Sequence, residues 1–251
     1  MKCIYLKGVR IKMCRLLTLL EGDFKSIAFV GAGGKTTTIY NLAKQLISKG
    51  KRVIITTTTH IYQPKNMEVA TDLAGIEKIL QERKLVVAGI PCEESKLTCL
   101  ESETFNQLVN YADYVLIEAD GAKKMPIKVP KENEPVIPKW VDLVVGVVGM
   151  DCIGKKIKTV CFRPQEAVKL LNEGTKEIVT EDHFITEEDV AQIIGSEKGL
   201  KKGVGQKPFK VILNKVDNKK NKQASEKIRM ILESKGIEGC LMTSYKENER
   251  A

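Results

Sequence analysis

An apolar segment that runs directly into a cluster of glycines constrains the fold of this chain more than any other stretch. Residues Ile27–Val30 are apolar, and they are followed by the glycine-rich segment Gly31–Thr36 and then by apolar residues at helical spacing. This order predicts a buried strand, a tight loop and a helix that starts at the loop. Backbone N–H groups of such a loop, together with the positive end of the helix dipole, bind phosphate oxygens. The stretch therefore predicts a phosphate-binding site.

The loop matches most of the phosphate-loop pattern G-x-x-x-x-G-K-[ST]. Gly34, Lys35 and Thr36 occupy its last three positions, whereas Phe29 stands at its first glycine. In that pattern the lysine reaches the terminal phosphates of a nucleotide and the hydroxyl binds Mg²⁺. The alternative is a glycine-rich turn with a chance lysine. We expect GTP or ATP to be bound with Mg²⁺ by the loop residues Gly31, Ala32, Gly33, Gly34, Lys35, Thr36 and Thr37.

Apolar strands alternate with helical segments along the rest of the chain. Five apolar runs have the length and the β-branched content of buried strands, namely residues 53–57, 85–88, 114–117, 143–148 and 210–213. This alternation predicts an α/β fold with a doubly wound, mainly parallel sheet. We predict a single domain over residues 1–251. Within it we expect an N-terminal extension at 1–25, an extended surface excursion at 126–138 and a mobile loop at 198–207.

Composition excludes several classes of protein. The chain has 251 residues, of which 43% are hydrophobic and 29% charged, which is typical of a soluble globular protein. No apolar run approaches the length of a membrane span, and the first residues do not resemble a secretory signal. The seven cysteines form an odd set without C-x-x-C spacing, which argues against a disulfide framework and against a structural zinc site. We expect a cytoplasmic protein that has no membrane partner.

The basic charge of the chain raises the question of nucleic acid. The net charge is +9, but the lysines are dispersed and only 5% of residues are aromatic, so platforms for stacking bases are scarce. We therefore do not expect nucleic acid as a partner. Nucleotide phosphates would benefit from the same positive field.

Two acidic residues follow one of the predicted strands. Glu118 and Asp120 come directly after the apolar run 114–117. Ligands of doubly wound sheets bind at the carboxyl ends of the strands, and buried carboxylates are costly unless a metal or hydrogen bonds hold them. We expect at least one of the two to hold Mg²⁺ with Thr36, and either of them to act in catalysis with Lys35. Their individual roles stay open, and a structural cap is the alternative.

A hydroxyl-rich segment leaves the strand at residues 53–57. Thr56–Thr59 lead into His60, one of two histidines in the chain. His60 is a candidate catalytic residue that positions a water molecule or a substrate, and a surface or packing histidine is the alternative. Lys123, Lys124 and Lys128 follow the acidic pair and are able either to stabilise charge during phosphoryl transfer or simply to be solvated.

The last candidate motif is Asn214-Lys215-Val216-Asp217, which follows the predicted strand at 210–213. It matches N-K-x-D, the guanine-reading motif of GTP-binding proteins, in which the aspartate accepts hydrogen bonds from the base. The asparagine and lysine support that site. A polar turn after a strand is the alternative, and Thr243-Ser244 are further candidates for the base pocket.

Taken together, these motifs resemble the YqeC family. The resemblance rests on five segments: Gly31–Thr36, Thr56–Ile61, Glu118–Ala122, Pro126–Lys128 and Leu213–Asp217. It implies a P-loop NTPase fold and a role as an accessory protein of selenium-dependent molybdenum hydroxylases, with a hydroxylase or its cofactor machinery as the protein client. The loop is also similar to that of metal-insertion and partitioning NTPases, but it lacks the glycine and lysine at the start of their pattern. Lys123 replaces the glycine of the D-x-x-G found in Ras-like GTPases, so neither mechanism is carried over.

Three functions follow from these residues. The first is a Mg²⁺-dependent NTPase that favours GTP over ATP and assists metalloenzyme maturation. The second is a small-molecule kinase that uses the same loop, with the threonine-rich segment, His60, Lys123 and Lys124 as its acceptor pocket. The third is a nucleotide-sensing scaffold or cofactor carrier without significant hydrolysis, for which Cys92, Cys99 or Cys152 are candidate ligands.

Overall fold

The computed structural model describes residues 16–93, 95–173 and 178–245 of the chain. In chain order its strands are β1 Ser26–Gly31, β2 Val53–Thr57, β3 His60–Tyr62, β4 Val69–Ala70, β5 Leu85–Ala88, β6 Ile90–Cys92, β7 Lys96–Thr98, β8 Tyr114–Glu118, β9 Ile127–Lys128, β10 Leu143–Gly149, β11 Cys161–Phe162, β12 Phe209–Asn214 and β13 Cys240–Met242. The helices are α1 Lys35–Ser48, α2 Leu73–Arg83, α3 Ser102–Gln107, α4 Ile157–Val160, α5 Pro164–Leu171, α6 Glu187–Gly195 and α7 Lys219–Ser234. Short 3₁₀ turns cover Leu16–Leu20, Leu108–Asn110 and Met150–Cys152.

Eight of these strands form one sheet in the order β13-β12-β10-β1-β8-β2-β5-β4. All neighbours in this sheet pair in parallel, so the carboxyl ends of its strands lie along one edge. Strand β1 lies between β10 and β8, which places its exit beside the exits of both. The predicted doubly wound, mainly parallel α/β fold is confirmed, and each of the five predicted strands is present.

Strand β1 is buried on both faces. Ile27 and Phe29 pack into an apolar cluster with Leu42 of α1. Ala28 and Val30 point to the opposite face, into a cluster with Ile76 of α2. Because side chains alternate across a strand, helices on both faces require this continuous apolar run.

Helix starts follow capping chemistry that is visible in the sequence. Asp72 accepts a hydrogen bond from the Gly75 N–H at the start of α2, and Asn218 accepts one from Asn221 at the start of α7. Thr186 and Asp189 form a reciprocal capping box on α6. Each such cap stabilises its helix by about 1 kcal/mol.

The prediction that residues 126–138 form a surface excursion is wrong for the first part of the segment. Ile127, Lys128 and Val129 are buried, and β9 pairs in parallel with β11 in a small two-stranded sheet. Ile127 and Val129 contribute to an apolar cluster, whereas the Lys128 ammonium lies against carboxylates. Proline content indicated an extended chain correctly but carried no information on burial.

Two other segments were singled out in the sequence. Residues 198–207 form consecutive turns that are anchored by the buried side chains of Leu200 and Val204, and their mobility stays a prediction. In the expected N-terminal extension, Leu16 and Leu19 pack against the apolar cluster beneath α1, while residues 1–15 lie outside the described part. The single-domain assignment also stays a prediction. In the described ranges, no helix has both the length and the apolar character that crossing a membrane requires.

Candidate functional site

The glycine loop is shorter than the general pattern suggests. Strand β1 continues through Gly31 and α1 starts at Lys35, so only Ala32–Gly34 connect them. Phe29, at the position of the pattern's first glycine, is a fully buried strand residue. The departure at Phe29 therefore shortens the loop from its strand side and leaves the start of the helix intact.

Close backbone packing explains two of the glycines. Gly33 has φ +78°, and a side chain there would overlap the backbone nitrogen of Gly149 at the end of β10. Gly34 has φ +119°, and a side chain there would overlap the amide of Asn214 at the end of β12. The positive φ angles also disfavour any residue with a Cβ atom. The loop is thus pressed against the ends of two neighbouring strands.

Protein acceptors already engage the first amides of the loop. The N–H of Gly31 donates to Asp120 Oδ2 at 3.1 Å, that of Ala32 donates to the Val147 carbonyl at 2.9 Å, and that of Gly33 donates to the Met125 carbonyl at 2.9 Å. Assignment of these three residues to phosphate binding stays a prediction.

The first turn of α1 presents a different set of amides. No acceptor in residues 16–93, 95–173 or 178–245 is bonded to the N–H groups of the segment 34–37. The helix dipole adds partial positive charge at the same place. The amides of Gly34, Lys35, Thr36 and Thr37 are therefore available to an anion.

Lys35 lies buried between the loop and the acidic pair. Its Nζ donates to the Gly31 carbonyl at 2.6 Å and lies 3.0 Å from Asp120 Oδ1. The distance to Glu118 Oε1 is 3.9 Å. The structure thus brings together the predicted lysine and both predicted carboxylates, as expected for strand exits that share one edge of the sheet.

The two carboxylates differ in their surroundings. Thr36 Oγ1 donates to Glu118 Oε2 at 2.7 Å, and burial raises the pKa of Glu118. Asp120 instead forms ion pairs with Lys35 at Oδ1 and with Lys128 at Oδ2, and Oδ2 also accepts a hydrogen bond from the Gly31 N–H. A hydroxyl and a carboxylate side by side suit Mg²⁺, which prefers oxygen ligands. Glu118 with Thr36 therefore fits a metal, whereas Asp120 is already occupied by cations.

Sequence reasoning missed Glu134 and Arg163 behind the loop, and it did not predict that Lys128 is buried beside them. Lys128 is fully buried, and its Nζ lies 2.9 Å from Asp120 Oδ2 and 2.8 Å from Glu134 Oε2. Arg163 binds both oxygens of Glu134 at 2.7 Å. Burial would raise the pKa of Glu134, but the hydrogen bonds from Arg163 and Lys128 lower it to about 2. Two sequence signals pointed to this region: the segment Pro126–Lys128, which resembles the family, and the position of Lys128 after the acidic pair.

The N-K-x-D segment is built into the same edge of the sheet. Asn214 Nδ2 donates to the Gly33 carbonyl at 2.8 Å, and Asn214 Oδ1 accepts from Thr243 at 2.9 Å. Lys215 adopts φ +60° and pairs with Asp151 at 2.9 Å. Asn214 therefore joins the glycine loop to the exit of β13.

Asp217 lies beside the same exit. Its Oδ1 accepts a 2.6 Å hydrogen bond from the hydroxyl of Ser244. Asp217 and Ser244, both among the residues proposed for a base pocket, are thus in contact although 27 positions separate them in the chain.

His60 lies away from this cluster of interactions. It is exposed on β3, opposite Thr98 in a three-stranded antiparallel sheet. It makes no described hydrogen bond or ion pair with Lys35, Glu118 or Asp120. Its catalytic role stays a prediction that the contacts do not support.

The threonines before His60 are engaged with backbone carbonyls. Thr56, Thr57 and Thr58 donate their hydroxyl hydrogen bonds to the carbonyls of Ala88, Glu118 and Val136, respectively. These hydroxyls tie β2 to its neighbours, so they offer little to a kinase acceptor pocket.

The candidate cysteine ligands are dispersed. Cys92 is exposed and Cys99 half-buried, while burial raises the pKa of the Cys152 thiol. In the part of the chain that the structure describes, no three or more His, Cys, Asp or Glu side chains are grouped to hold a metal ion. A cysteine-based carrier has no structural support among these residues.

Comparison with known proteins identifies the family. The family described as "YqeC protein" matches residues 27–165, which is more than half of the chain. The chain belongs to the YqeC family. "Uncharacterized protein YqeC" of Escherichia coli (strain K12) is 36% identical over 140 residues, which are 53% of this chain and 55% of that protein. The chain thus matches about half the length of this curated relative.

The region that matches the family contains only part of the candidate site. It contains the glycine loop, the acidic pair, Lys128, Glu134 and Arg163, all within the YqeC match at 27–165. The N-K-x-D segment at 214–217 lies beyond it. The family match therefore covers the glycine loop and the acidic pair and does not cover the segment that is proposed to read the base.

Proposed function

We propose that this protein is a Mg²⁺-dependent nucleoside triphosphatase that favours GTP over ATP. The observation that carries the proposal is the meeting of three features at one point. These are the available amides at the start of α1, the buried ammonium of Lys35, and the Thr36–Glu118 pair. The amides and the ammonium supply the hydrogen bonds and positive charge that phosphates need. The Thr36–Glu118 pair supplies oxygen ligands for a phosphate-bound Mg²⁺.

The triphosphate binds through the residues of the first helical turn. The amides at positions 34–37 point out of the helix end and donate to phosphate oxygens. Lys35 carries the positive charge that compensates the terminal phosphates, and it moves to them from its present partners, Gly31 and Asp120. The amides are fixed by the close packing of Gly33 and Gly34, so they need little reorganisation when charge develops on the transferred phosphoryl group.

Mg²⁺ fits between Thr36 and Glu118. Thr36 and Glu118 would hold the ion, which would supply positive charge to neutralise the charge that develops during phosphoryl transfer. The Thr36 hydroxyl and the Glu118 carboxylate are already 2.7 Å apart and share one face of the site. A single carboxylate and a hydroxyl, with phosphates and water completing the shell, is a common way for proteins to hold this ion.

Preference for GTP rests on Asp217. This carboxylate would accept hydrogen bonds from the N1–H and amino groups of guanine, which adenine does not present. Asn214 holds the glycine loop beside the same strand exits, so phosphate and base contacts would be fixed relative to each other. Contact between Asp217 and Ser244 supports a base pocket at the exits of β12 and β13.

The cellular role follows from the family resemblance alone. It is an accessory role in the maturation of a selenium-dependent molybdenum hydroxylase, with nucleotide hydrolysis coupled to a change that a protein client recognises. Cells producing the Lys35→Met variant should then yield hydroxylase with reduced activity and unchanged abundance. Full hydroxylase activity in those cells would reject the coupling.

Phosphate release from Mg²⁺–GTP tests the enzymatic proposal. Wild-type protein should release phosphate to water, and both Lys35→Met and chelation of Mg²⁺ should abolish the release. Lys49→Met, at the exposed C-terminal end of α1, is the matched control and should hydrolyse GTP like the wild type. Binding of GTP without release would favour the nucleotide-sensing scaffold, and transfer to an added acceptor would favour the kinase.

A further inference from the structure

Six ionisable side chains form a continuous network behind the glycine loop, and their charges balance. The cations are Lys35, Lys128 and Arg163, and the anions are Glu118, Asp120 and Glu134. Lys128 is the central cation, fully buried and shared between Asp120 and Glu134. Buried charges are tolerated when each has a partner of opposite sign and satisfied hydrogen bonds.

Nucleotide binding would disturb this balance at Asp120. Lys35 lies 3.0 Å from Asp120 Oδ1, but the proposed function requires the same ammonium on the phosphates. The Asp120 side chain is only 1% exposed, so water does not replace a departing cation. A buried carboxylate without a cationic partner is strongly destabilising. Some other group must hold the Asp120 charge while Lys35 is away.

Lys128 is the group that remains. Its ammonium has three N–H donors. They face Gly121 O at 2.7 Å, Glu134 Oε2 at 2.8 Å and Asp120 Oδ2 at 2.9 Å. The first two contacts are hydrogen bonds and the third is an ion pair, and Arg163 fixes Glu134 from the other side. Lys128 is fully buried and held by these three contacts, so it has no exposed path along which to follow Lys35 toward a phosphate.

We propose that Lys128 is a positioning residue that releases Lys35 for the phosphates. When Lys35 binds phosphate and Glu118 binds Mg²⁺, the four remaining charges are Asp120, Lys128, Glu134 and Arg163, two of each sign. The residual network stays neutral. Without Lys128, Asp120 keeps Lys35 as its only cationic partner and competes with the nucleotide for it.

This inference rests on the proposed nucleotide site and makes a distinct prediction about it. The probe is Mg²⁺–GTP, titrated into the full chain of the wild type, Lys128→Met, Asp120→Asn and the double variant. Lys128→Met should bind Mg²⁺–GTP about tenfold more weakly or worse, because Asp120 then retains Lys35 in a buried ion pair. Asp120→Asn should bind at least as tightly as the wild type. The double variant should recover most of the lost affinity, because the neutral amide at position 120 does not form an ion pair with Lys35.

Controls separate positioning from folding. Lys210→Met removes another lysine that donates to backbone carbonyls, Leu19 and Glu21, and it should leave the affinity for Mg²⁺–GTP unchanged. Thermal unfolding of each variant shows which ones are folded. If Lys128→Met does not fold, Asp120→Asn alone decides, since loss of binding in that variant would overturn the proposal.

Two results would contradict the role of Lys128. One is wild-type affinity in folded Lys128→Met, and the other is a double variant that binds as weakly as Lys128→Met. If the wild type itself fails to bind Mg²⁺–GTP and Mg²⁺–ATP, the proposed function fails instead. The two failures are therefore distinguishable in one set of titrations.

Discussion

The hydroxyl of Thr36 donates a 2.7 Å hydrogen bond to Glu118 Oε2, and it thereby joins the first turn of α1 to the end of β8. The two residues are 82 positions apart in the chain. Their meeting follows from the sheet order, because β1 and β8 are parallel neighbours whose exits lie at the same edge. A hydroxyl at the start of a helix and a carboxylate at the neighbouring strand exit are oxygen ligands of the kind that a hard cation prefers.

Loss of either side chain should therefore act through Mg²⁺. In Thr36→Val and Glu118→Gln, we expect the Mg²⁺-dependent part of nucleotide affinity to fall about tenfold or more, while the metal-free affinity changes little. Calorimetric titration with and without Mg²⁺ measures both parts. Thr159→Val removes an exposed hydroxyl that bonds only to Lys156 and should leave both parts unchanged. An equal loss with and without the metal would assign Thr36 to the phosphates instead.

Position 33 should require glycine because there is no space for a side chain, and not only because its φ angle is positive. Gly33 and Gly205 both have positive φ, +78° and +61°, but only Gly33 lies against another backbone. We expect Gly33→Ala to lower the free energy of unfolding by about 3 kcal/mol and Gly205→Ala by about 1 kcal/mol. Denaturant titration of the two variants gives the difference. Equal effects would mean that the backbone at Gly149 shifts at little cost to accommodate the added methyl group.

Guanine preference should depend on Asp217. In Asp217→Asn, the ratio of GTP to ATP affinity should approach one, because the amide lacks the paired acceptor that guanine requires. Competition between the two nucleotides for the protein measures the ratio. Asp182→Asn, a change at an exposed carboxylate that pairs with Lys156 and Lys158, serves as the control. Selectivity that persists in Asp217→Asn would remove the base-reading assignment.

Glu134 should make stability depend on pH in the acid range. Its pKa is lowered from 4.5 to about 2 in the folded protein. Its contribution is therefore fully present above about pH 4.5 and is lost as the pH falls toward 2. After allowance for partial exposure, we expect the contribution to be on the order of 2 kcal/mol. The free energies of unfolding of wild type and Glu134→Gln should differ at pH 7 and converge near pH 2, whereas a constant gap would contradict the assignment.

Local pattern was enough to predict the strands, the glycine loop and the acidic pair. Buried parallel strands are continuous apolar runs, and the residues after them meet at one edge by topology alone. That is why Lys35, Glu118 and Asp120 were predicted together from positions far apart in the chain. The loop length was harder, because the pattern places its first glycine at Phe29, within the predicted strand, and only the structure shows that β1 continues through Gly31.

The ion network could not be predicted in the same way. A single lysine in a proline-rich segment is usually solvated, and nothing local shows that Lys128 is enclosed by Asp120 and Glu134. His60 shows the opposite case. Its position directly after the threonine run suggested that it belongs to the site, but the pairing of β3 with β7 places it on a separate small sheet. Long-range contacts decide both outcomes. Patterns within one segment do not contain them.

Titration of the wild-type chain and of Lys35→Ala with Mg²⁺–GTP and Mg²⁺–ATP tests the central claim most directly. Lys49→Ala, with the same change of charge at the exposed end of α1, provides the matched control. The wild type and Lys49→Ala should bind both nucleotides, GTP more tightly, and Lys35→Ala should lose about tenfold or more of that affinity. Absence of binding by the wild type, or equal affinity in Lys35→Ala, would contradict the claim that this loop binds nucleotide phosphates.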